Sequence, residues 1–213
     1  MSSPFGDLLR EWRGKRRISQ LDLALSAGTT PRYVSFLETG RSRPGEDVVL
    51  RLAEALDVPL RDRNALLRAA GLPPAYTEHA LEDEALAGVR GVVLQVLRNH
   101  LPYPGLALGP GLRILELNAT AEVLFEGIRT MPTEEIVARW FSEAGLEDAS
   151  MDRPVVTATV RFGDRRIRCI TTAMRFDKAR DVTASELVVE LMFPADDEAE
   201  EFFRDVGCGA VGG

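Results

Sequence analysis

Cysteine and histidine are scarce: the 213 residues contain two of each, Cys169 and Cys208, His79 and His100. The cysteines lie far apart, one in an expected strand and one in a glycine-rich tail, so they make no metal-ligand pair. No metal, haem or other cofactor is expected from so few ligands. No apolar run approaches the ~20 residues that cross a bilayer. The N-terminal MSSPFGDLLREW also lacks the apolar core of a signal peptide. A cytoplasmic protein with reduced thiols and no membrane partner is the expectation. A Gly-x-Ser-x-Gly elbow, a phosphate loop, a dinucleotide fingerprint and a paired His and Cys near one element are missing as well. The acids of SEAGLEDASMDR are scattered as on a solvated face, so the chain is not expected to be an enzyme.

Charge is present but divided. Residues 1–73 carry 12 Lys+Arg against 9 Asp+Glu, whereas residues 74–213 carry 14 against 24. An acidic protein approaches nucleic acid only through a local concentration of positive charge. Arg10, Arg13, Lys15, Arg16, Arg17, Arg32, Arg41 and Arg43 supply one, with only 3 acids between the first and the last.

Inside this basic stretch, Gln20, Ala24, Gly28, Val34 and Leu37 occupy positions one, five, nine, fifteen and eighteen of a twenty-residue unit. A small Ala24 allows two helices to cross closely, and Gly28 can adopt the positive φ of the turn between them. Val34 and Leu37 put the inner stripe of the next helix into a core. Ser19 followed by Asp22 gives a capping-box variant for one helix, and Thr30 followed by Pro31 starts the other. Helical patterns in FGDLLREWRGKRR, EDVVLRLAEALDV and LRDRNALLRAAG complete a five-helix domain. Over residues 5 to 71 the chain resembles the Cro/C1-type helix-turn-helix of phage repressors and of the xenobiotic-response-element regulators of bacteria.

The resemblance implies operator DNA as partner, read by the third helix in the major groove. Thr30, Arg32, Tyr33 and Ser35 are the candidate readers, with Arg32 suited to a guanine edge. Phe36 could join them or belong to the core. Gln20 would meet a phosphate at its helix N-terminus, and Arg16, Arg17, Arg41 and Arg43 would clamp the backbone. The resemblance also implies an internal ion pair between Arg13 and Glu38. A homodimer is expected, because one reading helix covers only a half-site.

The prolines of GLPPAY, residues 71–76, mark a boundary. The expected organisation is a DNA-binding domain over 1–73, a linker over 74–100 with its helix near 78–99, an α+β domain over 101–206 and a flexible tail over 207–213. In the helix, Leu86, Val89, Val93, Val96 and Leu97 share one face, which either covers a sheet or forms half a dimer seam. Two strands are predicted around Gly109-Pro110-Gly111, then helices near 119–127 and 133–145. Strands follow in VVTATVRF and RRIRCITTAMRF about a Gly163-Asp164 turn, and in SELVVELMF.

That order is similar to a PAS domain, a likeness strengthened by Asn118, Ala121, Leu124, Phe125 and Gly127 in ILELNATAEVLFEG. Set behind this helix-turn-helix, residues 95–204 resemble the ligand-binding domain of MmyB-like transcription regulators. The resemblance implies an antiparallel PAS-like sheet with helices, and a hydrophobic effector such as a fatty acid or acyl derivative. Phe125, Trp140, Phe141, Cys169, Met174, Leu191 and Phe193 would then line its pocket, although the same residues also fit a plain core. Arg139 or Arg175 would meet a carboxylate. The function implied is a ligand-responsive bacterial regulator, a repressor. The alternative is a regulator whose second domain only dimerises or docks a protein.

Overall fold

The structure is a computed structural model that describes residues 3–132, 135, 157–162 and 164–211. Two compact units divide the chain, Met1–Glu78 with Ala179–Ser185 and His79–Lys178 with Glu186–Gly213.

The first unit is built on five helices, α1 (Pro4–Arg16), α2 (Gln20–Ser26), α3 (Pro31–Glu38), α4 (Glu46–Ala55) and α5 (Leu60–Ala69). Their starts follow the sequence signals. Ser3, Ser19 and Thr30 accept hydrogen bonds from the backbone N–H of Gly6, Asp22 and Tyr33, each satisfying one of the orphan donors of a helix N-terminus. Gly28 has φ of +62°, so the turn between α2 and α3 uses the left-handed region that glycine enters without strain. Phe5, Leu9, Leu23, Val34, Leu37 and Leu52 are buried in one core, into which each helix sends its apolar stripe. Asn64 binds the segment after α5: its amide donates to Tyr76 O, and its oxygen accepts from Ala75 N and Tyr76 N. Thr77 pairs in parallel with Asp181, which explains why Ala179–Ser185 belongs to this unit.

In the second unit a 3₁₀ turn (Glu84–Leu86) leads into α6 (Ala87–Asn99), so residues 79–83 are not helical as expected. Strands β1 (Gly105–Leu108), β2 (Ile114–Leu117), β3 (Thr157–Phe162), β4 (Arg165–Arg175) and β5 (Val188–Pro194) form a sheet of order β2-β1-β5-β4-β3. Every described pairing within this sheet is antiparallel. Helix α7 (Ala119–Leu124) follows β2 and α9 (Asp197–Val211) follows β5, while α8 (Val182–Glu186), all but its last residue in the first unit, precedes β5.

Side chains alternate across each strand, so the sheet has two distinct faces. Leu106, Val160, Ile167, Cys169 and Met192 pack with Phe125 near the end of α7 and with Phe202 and Phe203 of α9. On the other face, Ala107 and Val189 pack with Val93 and Leu97 of α6, with Val89 and Val96 beside them. The apolar stripe of α6 thus covers its own sheet.

Other boundaries differ from the expectation as well, among them the helix expected near 119–127, which ends at Leu124. Helix α6 belongs to the second unit and is not a separate linker. Ser185 and Glu186, expected at the start of a strand, end α8 instead, because Asp181 Oδ1 accepts from Ala184 N and Asp181 O from Ser185 N. Residues 207–211, expected to be flexible, continue α9. Gly207 is buried there, and a Cβ on it would lie 2.5 Å from that of Pro102, so this glycine permits close packing. The expected helix near 133–145 lies outside the described residues, apart from Glu135.

Candidate nucleic-acid interface and second-unit core

Glu38, 2% exposed, closes α3 and joins three helices. Arg13 of α1 grips it with both ends of its guanidinium fork, Nε to Oε1 at 2.7 Å and a terminal nitrogen to Oε2 at 3.2 Å. Gln20 Nε2 donates to Oε2 at 2.8 Å, and Arg10 donates to the Glu38 carbonyl at 2.8 Å. Burial pushes the Glu38 carboxyl up, yet the bonds from Arg13 and Gln20 and the charges of Arg13 and Arg10 outweigh it. The result is a carboxyl held below its ordinary range and an Arg13 guanidinium held above.

This hub sorts the basic residues. Arg10 and Arg13 serve Glu38, and Lys15 pairs with Glu11 at 2.7 Å. Arg16 donates from Nε to Leu56 O at 2.8 Å and also to Asp57 O, reaching into the C-terminal turn of α4. Such cation-to-carbonyl contacts complement the negative end of a helix. Arg16 is therefore engaged in holding the fold, unlike the free backbone clamp expected from sequence. The Gln20 side chain is likewise turned to Glu38 and does not present a free amide. Its partner lies 18 residues on and Leu56 lies 40 residues beyond Arg16, separations to which local spacing is blind.

Arg17, Arg32, Arg41 and Arg43 are exposed and meet no carboxylate among the described residues. Arg32 lies in the first turn of α3, with Thr30 capping the helix and Tyr33 and Ser35 partly exposed on it. Arg17 ends α1 with φ of 54°, and Arg41 and Arg43 lie in the loop after α3. Phe36 is half-buried, with the guanidinium carbons of Arg32 and Arg41 5.2 and 6.0 Å from its ring centre. Its aromatic role in gathering these arginines was not legible, although an arginine four residues before an aromatic on a helix is a signal for such a contact.

The second unit separates the candidate ligand residues. Phe125 and Cys169 share one buried cluster, where Phe125 lies 5.4 Å from the Phe162 ring. Burial and, secondarily, the charge of Asp196 push the Cys169 thiol up to about 12, so it is a small apolar filler and not a nucleophile. Met174 and Leu191 pack on the opposite face against the α6 cluster. Phe193, on the same side of β5 as Leu191, sits edge-on to the His100 ring at 4.7 Å. These three do not line one cavity with Phe125 and Cys169, because residues an odd number apart on a strand face opposite ways. Arg175 is exposed at the end of β4, and its charge partly offsets the burial that raises the Glu190 carboxyl. Arg139, Trp140 and Phe141 lie outside the described residues. A cleft of about 290 Å³ opens beside the Phe125 cluster, lined by Leu117, Phe125, Ile128 and Arg129 among others.

A capped helix crossing a second one over a glycine turn defines a helix-turn-helix. Residues 9–62 match the Helix-turn-helix family. Over 81 residues the chain is 36% identical to the uncharacterized HTH-type transcriptional regulator RghRB of Bacillus subtilis (strain 168). That match takes in 38% of this chain and 56% of RghRB, so the chain spans just over half the length of this curated relative. It is 37% identical to the restriction-modification controller protein C.AhdI from Aeromonas hydrophila, over 28% of this chain and 91% of that one, with a TM-score of 0.27. It is 26% identical to the clp gene regulator ClgR from C. glutamicum, over 32% of this chain and 86% of that one, with a TM-score of 0.29. Residues 9–62 thus form a helix-turn-helix domain similar to those of these regulators. No helix among the described residues is long and apolar enough to cross a membrane.

Proposed function

We propose that the protein is a transcription regulator that binds operator DNA as a dimer through α3, acts as a repressor, and responds to an apolar effector held in its second unit. The observation that carries the DNA-binding reading is the division of the basic residues: Arg10, Arg13 and Arg16 bond within the fold and Lys15 pairs with Glu11, while Arg17, Arg32, Arg41 and Arg43 are exposed and meet no acid among the described residues. Arg32 meets the base edge, and Arg17, Arg41 and Arg43 meet phosphates. In a dimer the two α3 helices read half-sites about 34 to 36 Å apart. Arg32→Ala is expected to weaken binding to a duplex selected from a random library by about 1 to 3 kcal/mol, with little effect on random DNA. Arg17→Ala weakens both and flattens the salt dependence. Equal losses on selected and random duplexes for Arg32→Ala, measured by fluorescence anisotropy, would remove Arg32 from base reading.

The sensing reading is supported by the strand order β2-β1-β5-β4-β3 and by the α7 and α9 cover on one sheet face, an arrangement in keeping with a PAS-like domain. The cleft beside Phe125 is near the lower end of ligand-site volumes, which run from about 300 to 1,000 Å³. An acyl chain of medium or long length is the effector we assign, its carboxylate meeting Arg129, which lines the cleft and pairs there with Glu122 at 2.9 Å. A ligand that binds the folded state alone stabilises it by roughly 2.7 kcal/mol at a hundredfold excess over its Kd. Fatty acids should accordingly raise the melting temperature of delipidated protein, and Leu117→Gln at the cleft should abolish the rise. A second reading has its own support: Phe125, Phe162, Phe202 and Phe203 already fill the cluster with ring contacts of 5.4 to 6.1 Å. A unit so packed serves as a dimerisation or protein-docking module, and absence of any thermal shift with acyl ligands selects that reading.

A further inference from the structure

The unpaired arginines of the first unit are not independent of one another. Arg32 precedes Phe36 by one helical turn, and Arg41 returns to the same ring from the loop beyond α3, with guanidinium carbons 5.2 and 6.0 Å from its centre. The backbone fixes the second of these. Arg41 N donates to Phe36 O at 2.8 Å, Ser42 N donates to the same oxygen at 3.3 Å, and Thr39 Oγ1 reaches it at 3.4 Å. Phe36 thus holds the loop by its carbonyl and the Arg41 head by its ring. Two like charges are gathered on one aromatic side chain, and Glu38, the buried carboxylate of the same helix, is already engaged by Arg13 and Gln20. Both guanidiniums are exposed and meet no carboxylate among the described residues, so they remain available to a ligand with two acceptors. A guanine edge next to a backbone phosphate offers that chemistry.

We propose that Phe36 is a positioning residue for DNA recognition, holding Arg32 and Arg41 as one unit so that the first meets a guanine edge while the second meets a neighbouring phosphate. The proposal rests on the operator-binding reading above and adds a residue that itself carries no hydrogen-bonding group. Aromatic contact orders both long side chains before binding, which lowers the entropy lost when they dock.

The test uses the full chain and a duplex enriched from a random library. Phe36→Leu keeps the apolar volume but removes the π face; Phe36→Tyr keeps the ring. The leucine variant should bind the enriched duplex about tenfold more weakly. Its log K against log salt slope should fall by about one phosphate's worth, roughly 0.9. Phe36→Tyr should restore both quantities. Arg32→Ala should cost less in the leucine background than in the wild type, because the two act together. Thermal melts of each variant register any loss of folding separately, and such a loss does not alter the salt slope of the folded protein. A leucine variant with wild-type affinity and slope, or losses that simply multiply, overturns the role of Phe36 and leaves operator binding intact. Failure of the wild type to enrich any duplex overturns both.

Discussion

Glu38→Ala is expected to destabilise the first unit by about 3 to 5 kcal/mol, the range seen when one partner of a buried ion pair is removed. The loss exceeds that of a surface pair because Glu38 is 2% exposed and gathers Arg13, Gln20 and Arg10 at the junction of α1, α2 and α3. Its removal leaves the Arg13 guanidinium, only 21% exposed, with the Ile18 carbonyl as its remaining partner. The same network sets a pH dependence. The folded carboxyl is held below its ordinary value, so its stabilisation is fully present above the unfolded carboxylate pKa of about 4.3. That contribution disappears as pH falls through the lower, folded value. Urea unfolding of the full chain followed by hydrogen exchange at α1–α3 amides should show this acid limb in the wild type and a flatter one in Glu38→Gln. A loss below about 1 kcal/mol for Glu38→Ala would place the network among the ion pairs of little net worth.

The legibility of the first unit in the sequence has a physical basis: the signals that start its helices are local. Ser19 with Asp22, Thr30 with Pro31, and Gly28 each act within four residues of where they stand, and each does so in the structure. Roles that depend on distant partners were hidden for the same reason. Arg16 was indistinguishable by composition from Arg17, yet one reaches Leu56 and Asp57 and the other ends a helix in solvent. In the second unit, alternation identified strands, and period two divides any strand into two faces. It does not say which face meets which helices, so Met174 and Leu191 were grouped with Cys169 although they lie across the sheet from it. Gly207 misled in another way. Glycine favours both a loose tail and a close helix contact, and only Pro102 across the contact decides between them.

Asn118→Ala is expected to cost the second unit about 3 to 5 kcal/mol, because this one side chain satisfies four backbone groups from separate elements. Its oxygen accepts from Gly105 N at 3.2 Å and from Ala121 N at 3.0 Å, capping α7 and fixing the start of β1. Its amide donates to Leu97 O at 3.1 Å, in the last turn of α6, and to Tyr103 O at 2.8 Å. Asn118 is 5% exposed, so alanine would leave two donors and two acceptors in a site from which water is largely excluded. Each unsatisfied buried group costs about 1 to 3 kcal/mol, and partial relaxation keeps the total below the full sum. Asparagine is the residue type required, since aspartate supplies the acceptors but turns an oxygen toward two carbonyls. Asn118→Asp should therefore be as destabilising at neutral pH as Asn118→Ala, and should recover in part when protonation returns one donor. Residue-resolved hydrogen exchange is the decisive measurement. Protection should fall across β1, α6 and α7 in both variants while α1–α5 amides keep theirs, and an alanine variant within about 1 kcal/mol of wild type would show that water replaces the side chain at every bond.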